Sequence, residues 1–94
     1  MDDIYAQIAE RIIKQQEAII GPVAIEQAKL VAGLELDWGK QHVVTVSGNE
    51  AGVIDKLVEQ YKTLFGQISV EVCKDAAGSL MGQLPQDKLP KSLA

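Results

Sequence analysis

The side chains with the most chemical potential in this sequence are Cys73 and His42, each the single residue of its type. A thiol in contact with an imidazole can form a nucleophile and a base. Nothing around either residue supports that pairing, because neither an adjacent glycine turn nor a further helper residue is present. We therefore expect Cys73 to be a small buried apolar side chain. No catalytic residue is predicted, and the protein is expected not to be an enzyme.

The same two residues limit the other chemistry available to one chain. A single cysteine excludes an internal disulfide, and a single histidine excludes a metal site with several histidine ligands. Neither a metal nor a cofactor is predicted. The acidic residues mostly occupy the polar faces of predicted helices, where they are expected to be solvated rather than paired for acid–base catalysis.

The segment Ser47-Gly48-Asn49 follows a β-branched run and precedes a helical pattern. Such a junction directs backbone N–H groups outward, as in an anion site. It contains one glycine where a phosphate loop needs several, no lysine follows it, and Glu50 stands where the anion would lie. A capping box fits better, with Ser47 capping the helix and Glu50 reaching back.

Apolar side chains provide the candidate interaction residues. Trp38 lies beside a predicted turn, and indoles are frequent at binding hot spots, although packing under a helix is the favoured role. Leu84 and Leu89 each precede a proline and suit an extended ligand for a partner's groove, but a solvated terminus is favoured. The full set of interaction candidates is Trp38, His42, Ile4, Tyr5, Ile8, Ile12, Leu84 and Leu89.

Helical periodicity dominates the first third of the chain. Asp3–Ile20 repeats apolar residues at i, i+3 and i+4, over close to half of the helix circumference. Gly21-Pro22 ends this helix and starts the next. The second helix, Pro22–Ala32, is apolar almost all round, so we expect it in the middle of the packing, with Gly33 as its C-cap.

The period then changes from 3.6 to 2, which predicts a hairpin with Gly39 in its turn. One face of the hairpin is expected to be apolar: Leu34, Leu36, Trp38, Val44 and Val46. A third helix follows the capping box and ends at Phe65, before Gly66. Its inward stripe is predicted to be Val53, Ile54, Leu57, Val58, Tyr61, Leu64 and Phe65.

Residues 67–81 fit two interpretations. Ile68, Val70 and Val72 alternate as in a strand, whereas Ile68, Val72 and Cys73, with Ala76 and Leu80, share one side of a helix. We favour a helix because the pattern extends beyond the length of a strand. Residues 1–82 are predicted to form one globular domain, and 83–94 an extended or disordered tail.

The predicted fold is α+β, with four helices around a central hairpin in the order α-α-β-β-α-α. Two features indicate a homodimer: the wide apolar stripe of the first helix, and the open edges of a hairpin that is marginal alone. The two copies are expected to share either that helix face or a joined sheet.

The bulk composition limits the classes of function. The chain has 94 residues, which suits one domain, and a formal net charge of −4, which disfavours nucleic acid. Its apolar runs fall far short of a membrane span, so no membrane partner is expected. The acidic Met1-Asp2-Asp3 start lacks the pattern of a secretory signal, and a cytoplasmic location is expected.

These observations favour a small cytosolic, non-enzymatic protein-interaction or regulatory module that acts as a homodimer. Its partners are expected to be a second copy of itself and another protein. The alternative is a small-molecule binding module with a pocket between the hairpin and the second and third helices, where Tyr61 would supply a polar group.

Overall fold

The computed structural model describes residues 4–37, 43–84 and 89–93. Four helices and one antiparallel hairpin follow the predicted order, which confirms the small α+β fold. The elements are α1 (Ile4–Ile20), α2 (Val23–Lys29), β1 (Leu34–Asp37), β2 (Val43–Val46), α3 (Glu50–Phe65), α4 (Gln67–Met81) and a C-terminal 3-10 helix (Lys91–Leu93).

Helix α1 runs through the centre of the packing. It contacts α4, α2, α3 and β2, so its wide apolar stripe is covered within one chain. Ile8, Ala9, Ile12 and Ile13 are fully buried. The helix ends as predicted at Gly21, whose φ of 76° is favourable for glycine. The stripe therefore stabilises the monomer, and it no longer supports a dimer built on this helix face.

Helix α2 is not in the middle of the packing, which corrects the expectation from its composition. It has seven residues and buries only Ala24 and Ala28, which lie one turn apart on one face. Val23 and Leu30 are exposed. The chain leaves the helix after Lys29, so the short α2 can present only this narrow stripe to the core.

The hairpin forms in the predicted register. Leu34 pairs with Val46 and Leu36 with Val44, which places the four apolar side chains on one face. Leu34, Val44 and Val46 are buried, and β2 packs against α1. The predicted turn, with Trp38, Gly39 and His42, lies outside the described residues.

Helix α3 begins two residues later than the capping box predicts. Its N-cap is Asn49, whose side-chain oxygen accepts a hydrogen bond from the Gly52 N–H at 3.2 Å. The Ser47 hydroxyl instead donates to the Gly33 carbonyl at 3.3 Å, next to the backbone bond that extends the hairpin. Asn and Ser cap equally well, so the positions of the strand ends decide between them.

The predicted inward stripe of α3 is correct for its first three turns. Val53, Ile54, Leu57, Val58 and Tyr61 are buried, but Leu64 and Phe65 are partly exposed. The helix ends at Gly66, with a φ of 84°, and α4 starts immediately. The tight corner directs the last turn of α3 away from the core.

Residues 67–81 are helical, which confirms the favoured interpretation. Non-helical dihedrals at Gly78 (φ 14°, ψ −102°) kink α4 near its end. The buried face contains Val70, Cys73 and Ala77, whereas Ile68 is exposed. The predicted inward position of Ile68 is therefore wrong, because contact with α1 sets a face that is rotated towards Val70.

The described end of the chain is not a solvated tail. Pro90 and Leu93 are buried, and the 3-10 helix packs against α3 and α4. This corrects the expectation of an extended or disordered terminus for residues 89–93. The physical reason is that the chain folds back onto α3 and α4, where Leu93 joins the apolar core.

Candidate functional site

Cys73 lies on α4, fully buried in the core where this helix packs against α1. Gln16 Nε2 on α1 is 3.5 Å from its sulfur. Burial raises the pKa of the Cys73 thiol to about 11, although the hydrogen bond from Gln16 opposes that shift. The thiol is protonated at neutral pH and shielded from solvent, so it is a poor nucleophile. The possible base, His42, lies outside the described residues.

Tyr61 is equally buried, on α3. Its hydroxyl donates a 2.7 Å hydrogen bond to the Ala24 carbonyl of α2. Burial raises the pKa of Tyr61, and the neighbouring Cys73 raises it further. The hydroxyl is thus a structural link between two helices, and it does not supply the polar group expected for a ligand pocket.

Two hydrogen-bonded links fix the same end of the molecule. Gln16 Nε2 donates to the Ser69 carbonyl at 3.1 Å, which holds the last turns of α1 beside the first turn of α4. The bond from Tyr61 to Ala24 holds the start of α2 beside the last turns of α3. Four helix ends therefore meet in one region.

Most of the large exposed apolar side chains lie on these four helix ends. Among the described side chains six are large, apolar and exposed, and five of them belong to this region. We call them the apolar end: Ile19 (59% exposed), Val23 (40%), Leu64 (48%), Phe65 (36%) and Ile68 (73%). The sixth, Leu30, is 70% exposed and lies at the opposite end of α2. Clustering of this kind marks an interaction site more often than scattered exposure does.

The apolar end is also uncharged. Two stretches of sequence supply it, residues 18–25 and 63–70, and neither contains an Asp, Glu, Lys or Arg. Ala18, Pro22 and Gly66, which are next to these large apolar residues in sequence, are exposed as well. The surface is therefore apolar and neutral on a protein whose net charge is −4.

The predicted interaction residues that the structure describes lie outside the apolar end. Ile8 and Ile12 are fully buried core residues, so they offer no surface. Ile4, Tyr5 and Leu84 are partly buried and pack against the core, and Leu89 is also partly buried. Trp38 and His42 lie outside the described residues.

Sequence reasoning missed the apolar end for an identifiable reason. Its residues lie at the edges of helical stripes that were predicted to face inward, as with Leu64, Phe65 and Ile68. A usable signal was present, because the two uncharged stretches both span a helix boundary marked by glycine, at Gly21 and Gly66. Apolar residues that surround a helix end cannot all face the same core.

A separate groove of about 380 Å³ lies between α3 and the connection from α2 to β1. Leu30, Val31 and Ala32 form one wall. The other wall is mostly polar and contains Asp55, Lys56, Glu59, Gln60 and Thr63. A second groove of about 270 Å³ shares Ala32 and Lys56 with it and continues to Asn49. These grooves border the region expected for the alternative ligand pocket, but Tyr61 lines neither of them.

Three further findings limit the chemistry. In the part of the chain that the structure describes, no three His, Cys, Asp or Glu side chains are grouped as metal ligands. None of the described helices is both long enough and apolar enough to cross a membrane. Comparisons with protein-family models, curated proteins and solved structures found no match. The function is therefore argued from the surface of the molecule.

Proposed function

We propose that this protein is a non-enzymatic interaction module that acts as a homodimer through its apolar end. The observation that carries the proposal is the concentration of five exposed large apolar residues on four helix ends. Exposed apolar side chains that are clustered, rather than scattered singly, are typical of interaction sites. The proposed site of action is the cytoplasm, which localisation of a fluorescent fusion would test.

Charge argues for a second copy as the occupant. Two molecules that each carry a net charge of −4 repel one another on most approaches. The apolar end contains no charged residue in either of its two stretches, so two copies can meet there without placing like charges together. In a dimer with two-fold symmetry, the neutral surface of one copy packs against the same surface of the other.

The available area is compatible with a dimer. A fully buried large apolar side chain removes roughly 100 Å² from water, since its burial is worth about 2.5 kcal/mol at about 25 cal/mol per Å². Five side chains that are about half exposed then supply roughly 250 Å² of apolar contact. A stable interface buries roughly 800 Å² on each partner, so a polar rim must provide the remainder. The molecule measures 32 × 29 × 22 Å, and its faces are large enough for such a rim.

Sedimentation velocity of the wild type and two matched variants tests the proposal. The wild type, with a chain mass of 10.2 kDa, is expected to sediment as a species of about 20 kDa at micromolar concentration. Ile68→Asp is expected to sediment as a monomer. Leu30→Asp is the control, because Leu30 is exposed to a similar degree but lies away from the apolar end, and it is expected to remain a dimer.

The magnitude follows from the exposure of Ile68, which is 73%. Burying that side chain is worth about 2 kcal/mol per chain, and a symmetric dimer loses the contribution twice. The total is about 4 kcal/mol, and each 1.4 kcal/mol is about tenfold, so the dimerisation constant is expected to weaken by about 700-fold. A wild-type monomer, or equal behaviour of the two variants, would contradict the proposal.

The groove beside α3 favours a second candidate function, the binding of a small ligand. Its volume of about 380 Å³ lies within the range of known ligand sites. A thermal-shift screen with metabolites tests this function, and a true ligand should raise the melting temperature with concentration. Replacing Thr63 by Trp should fill the groove and abolish the shift, whereas Leu64→Trp, on the apolar end, should leave it unchanged.

A further inference from the structure

A third cavity, separate from the two grooves described above, gathers positive charge on this acidic protein. Its volume is about 240 Å³, and it lies where α3, α4 and the C-terminal 3-10 helix meet. Each of these elements contributes one lysine to its lining: Lys62, Lys74 and Lys91. Glu59 is the single acidic residue among the described residues that line it. The cavity therefore has an excess of two positive charges.

These lysines are available for a ligand. Within the described part of the chain, none of the three has a carboxylate oxygen within 4 Å of its ammonium nitrogen, whereas Lys14 pairs with Glu10 at 2.9 Å. Three like charges around one cavity repel one another unless an anion lies between them. An anion bound in the cavity would be attracted to all three ammonium groups.

The direction of α4 adds to the positive potential. Gln67, the first residue of this helix, also lines the cavity. A helix N-terminus carries a partial positive charge, and no side chain of the N-cap residue Gly66 compensates for it. The helix end supplements the three lysines, which carry the main argument.

We propose that this cavity binds a small phosphate-bearing anion. A phosphate monoester carries nearly two negative charges at pH 7, which matches the excess of two positive charges in the lining. Lysine binds phosphate well as a point charge. The volume is below the range of pockets for drug-sized ligands, so the ligand is a small anion. A nucleic acid would meet the repulsion of the remaining acidic surface.

The site depends on the end of the chain. Lys91 reaches the cavity because Pro90 and Leu93 are buried, which seats the 3-10 helix against α3 and α4. A phosphate held by Lys91 together with Lys62 and Lys74 would tie this segment to the two helices. Binding of the anion is therefore coupled to docking of residues 89–93.

Titration with inorganic phosphate and with methyl phosphate, at constant ionic strength, tests the proposal. Binding is monitored by NMR of the backbone amides. Saturable shifts are expected around Lys74 and Lys91. Lys74→Gln and Lys91→Gln are each expected to weaken binding by about fivefold or more, from the loss of one charge at about 5 Å. Lys29→Gln is the control, because this exposed lysine lies on α2 and away from the cavity.

Two further arms make the test specific. Glu59→Gln removes the acidic group from the lining and should tighten binding by a similar factor. Lowering the pH to about 5 removes one charge from the phosphate and should weaken binding in every variant. Preference for methyl phosphate would identify an ester as the ligand, and preference for inorganic phosphate the free ion. Shifts that do not saturate, or equal effects of Lys29→Gln and Lys74→Gln, would overturn the proposal.

Discussion

The buried thiol of Cys73 predicts a specific loss of stability in alkaline solution. Its pKa is raised from 9.0 to about 11 in the folded chain, so the folded state retains the proton that the unfolded state loses. The free energy of unfolding contributed by this group is fully present below pH 9. It decreases as the pH rises from 9 towards 11, because thiolate formation then favours the unfolded chain. The perturbation to test is Cys73→Ala, which removes the titrating group.

The expected magnitude can be worked out at pH 10. There the unfolded thiol lies one pH unit above its pKa of 9.0, while the folded thiol lies about one unit below its own. One unit of differential protonation corresponds to about 1.4 kcal/mol. The full difference of two units would amount to about 3 kcal/mol at pH values well above 11. In this range Tyr61 ionises only in the unfolded chain, because burial raises its pKa in the folded chain. Burial is the larger cause of that shift and is present in both proteins, so the contribution of Tyr61 largely cancels.

Urea unfolding at pH 7 and pH 10 measures the effect. The wild type is expected to lose about 1.4 kcal/mol more than Cys73→Ala between the two pH values. The cavity left by the substitution lowers stability at both pH values and does not enter this difference. A thiol reagent at pH 8 should react with Cys73 only as fast as the protein opens. If the two proteins lose equal stability, the proposed burial of the thiol is refuted.

Two pairs of substitutions test the local geometry by urea unfolding. Gly33→Ala should destabilise the protein by about 2 kcal/mol or more, because φ is 86° and the added Cβ would lie 2.8 Å from Val53 Cγ2. Gly48→Ala is the control, because Gly48 has a similar φ of 79° but no neighbour within 4 Å of the added Cβ. It should destabilise the protein by about 1 kcal/mol. Equal losses would show that backbone strain alone matters at Gly33. Asn49→Ala should cost about 1 kcal/mol by removing the cap of α3, and Ser47→Ala should cost less. A larger loss for Ser47→Ala than for Asn49→Ala would instead indicate that Ser47 caps the helix, as the capping box predicts.

Local pattern was sufficient where one element decides its own structure. The hairpin register, with Leu34 opposite Val46, follows from an alternation that can bury only one face. The helix over 67–81 follows from a period that continues beyond strand length. The boundaries at Gly21 and Gly66 follow from the backbone freedom of glycine, since both have positive φ.

The local sequence pattern did not predict which side chains are buried where that depends on packing against a second element. The stripe of α1 indicates a large apolar face, but α4 and β2 cover it within the same chain. Helix α2 has an apolar composition, yet Leu30 faces solvent because the helix lies at the margin of the packing. The cap of α3 moved from Ser47 to Asn49 because Ser47 is engaged with the hairpin.

By itself, the sequence determined the number, type and order of the elements, because hydrophobic period and turn residues act over a few neighbouring positions. Only the tertiary structure decided the two candidate sites. Ile19 and Ile68 are far apart in the chain, and the Gln16–Ser69 hydrogen bond shows that their helix ends meet. Lys62 and Lys91 likewise share a cavity because the end of the chain folds back onto α3. Surfaces are built by long-range packing, and the periodicity of a single helix carries no information about its neighbours.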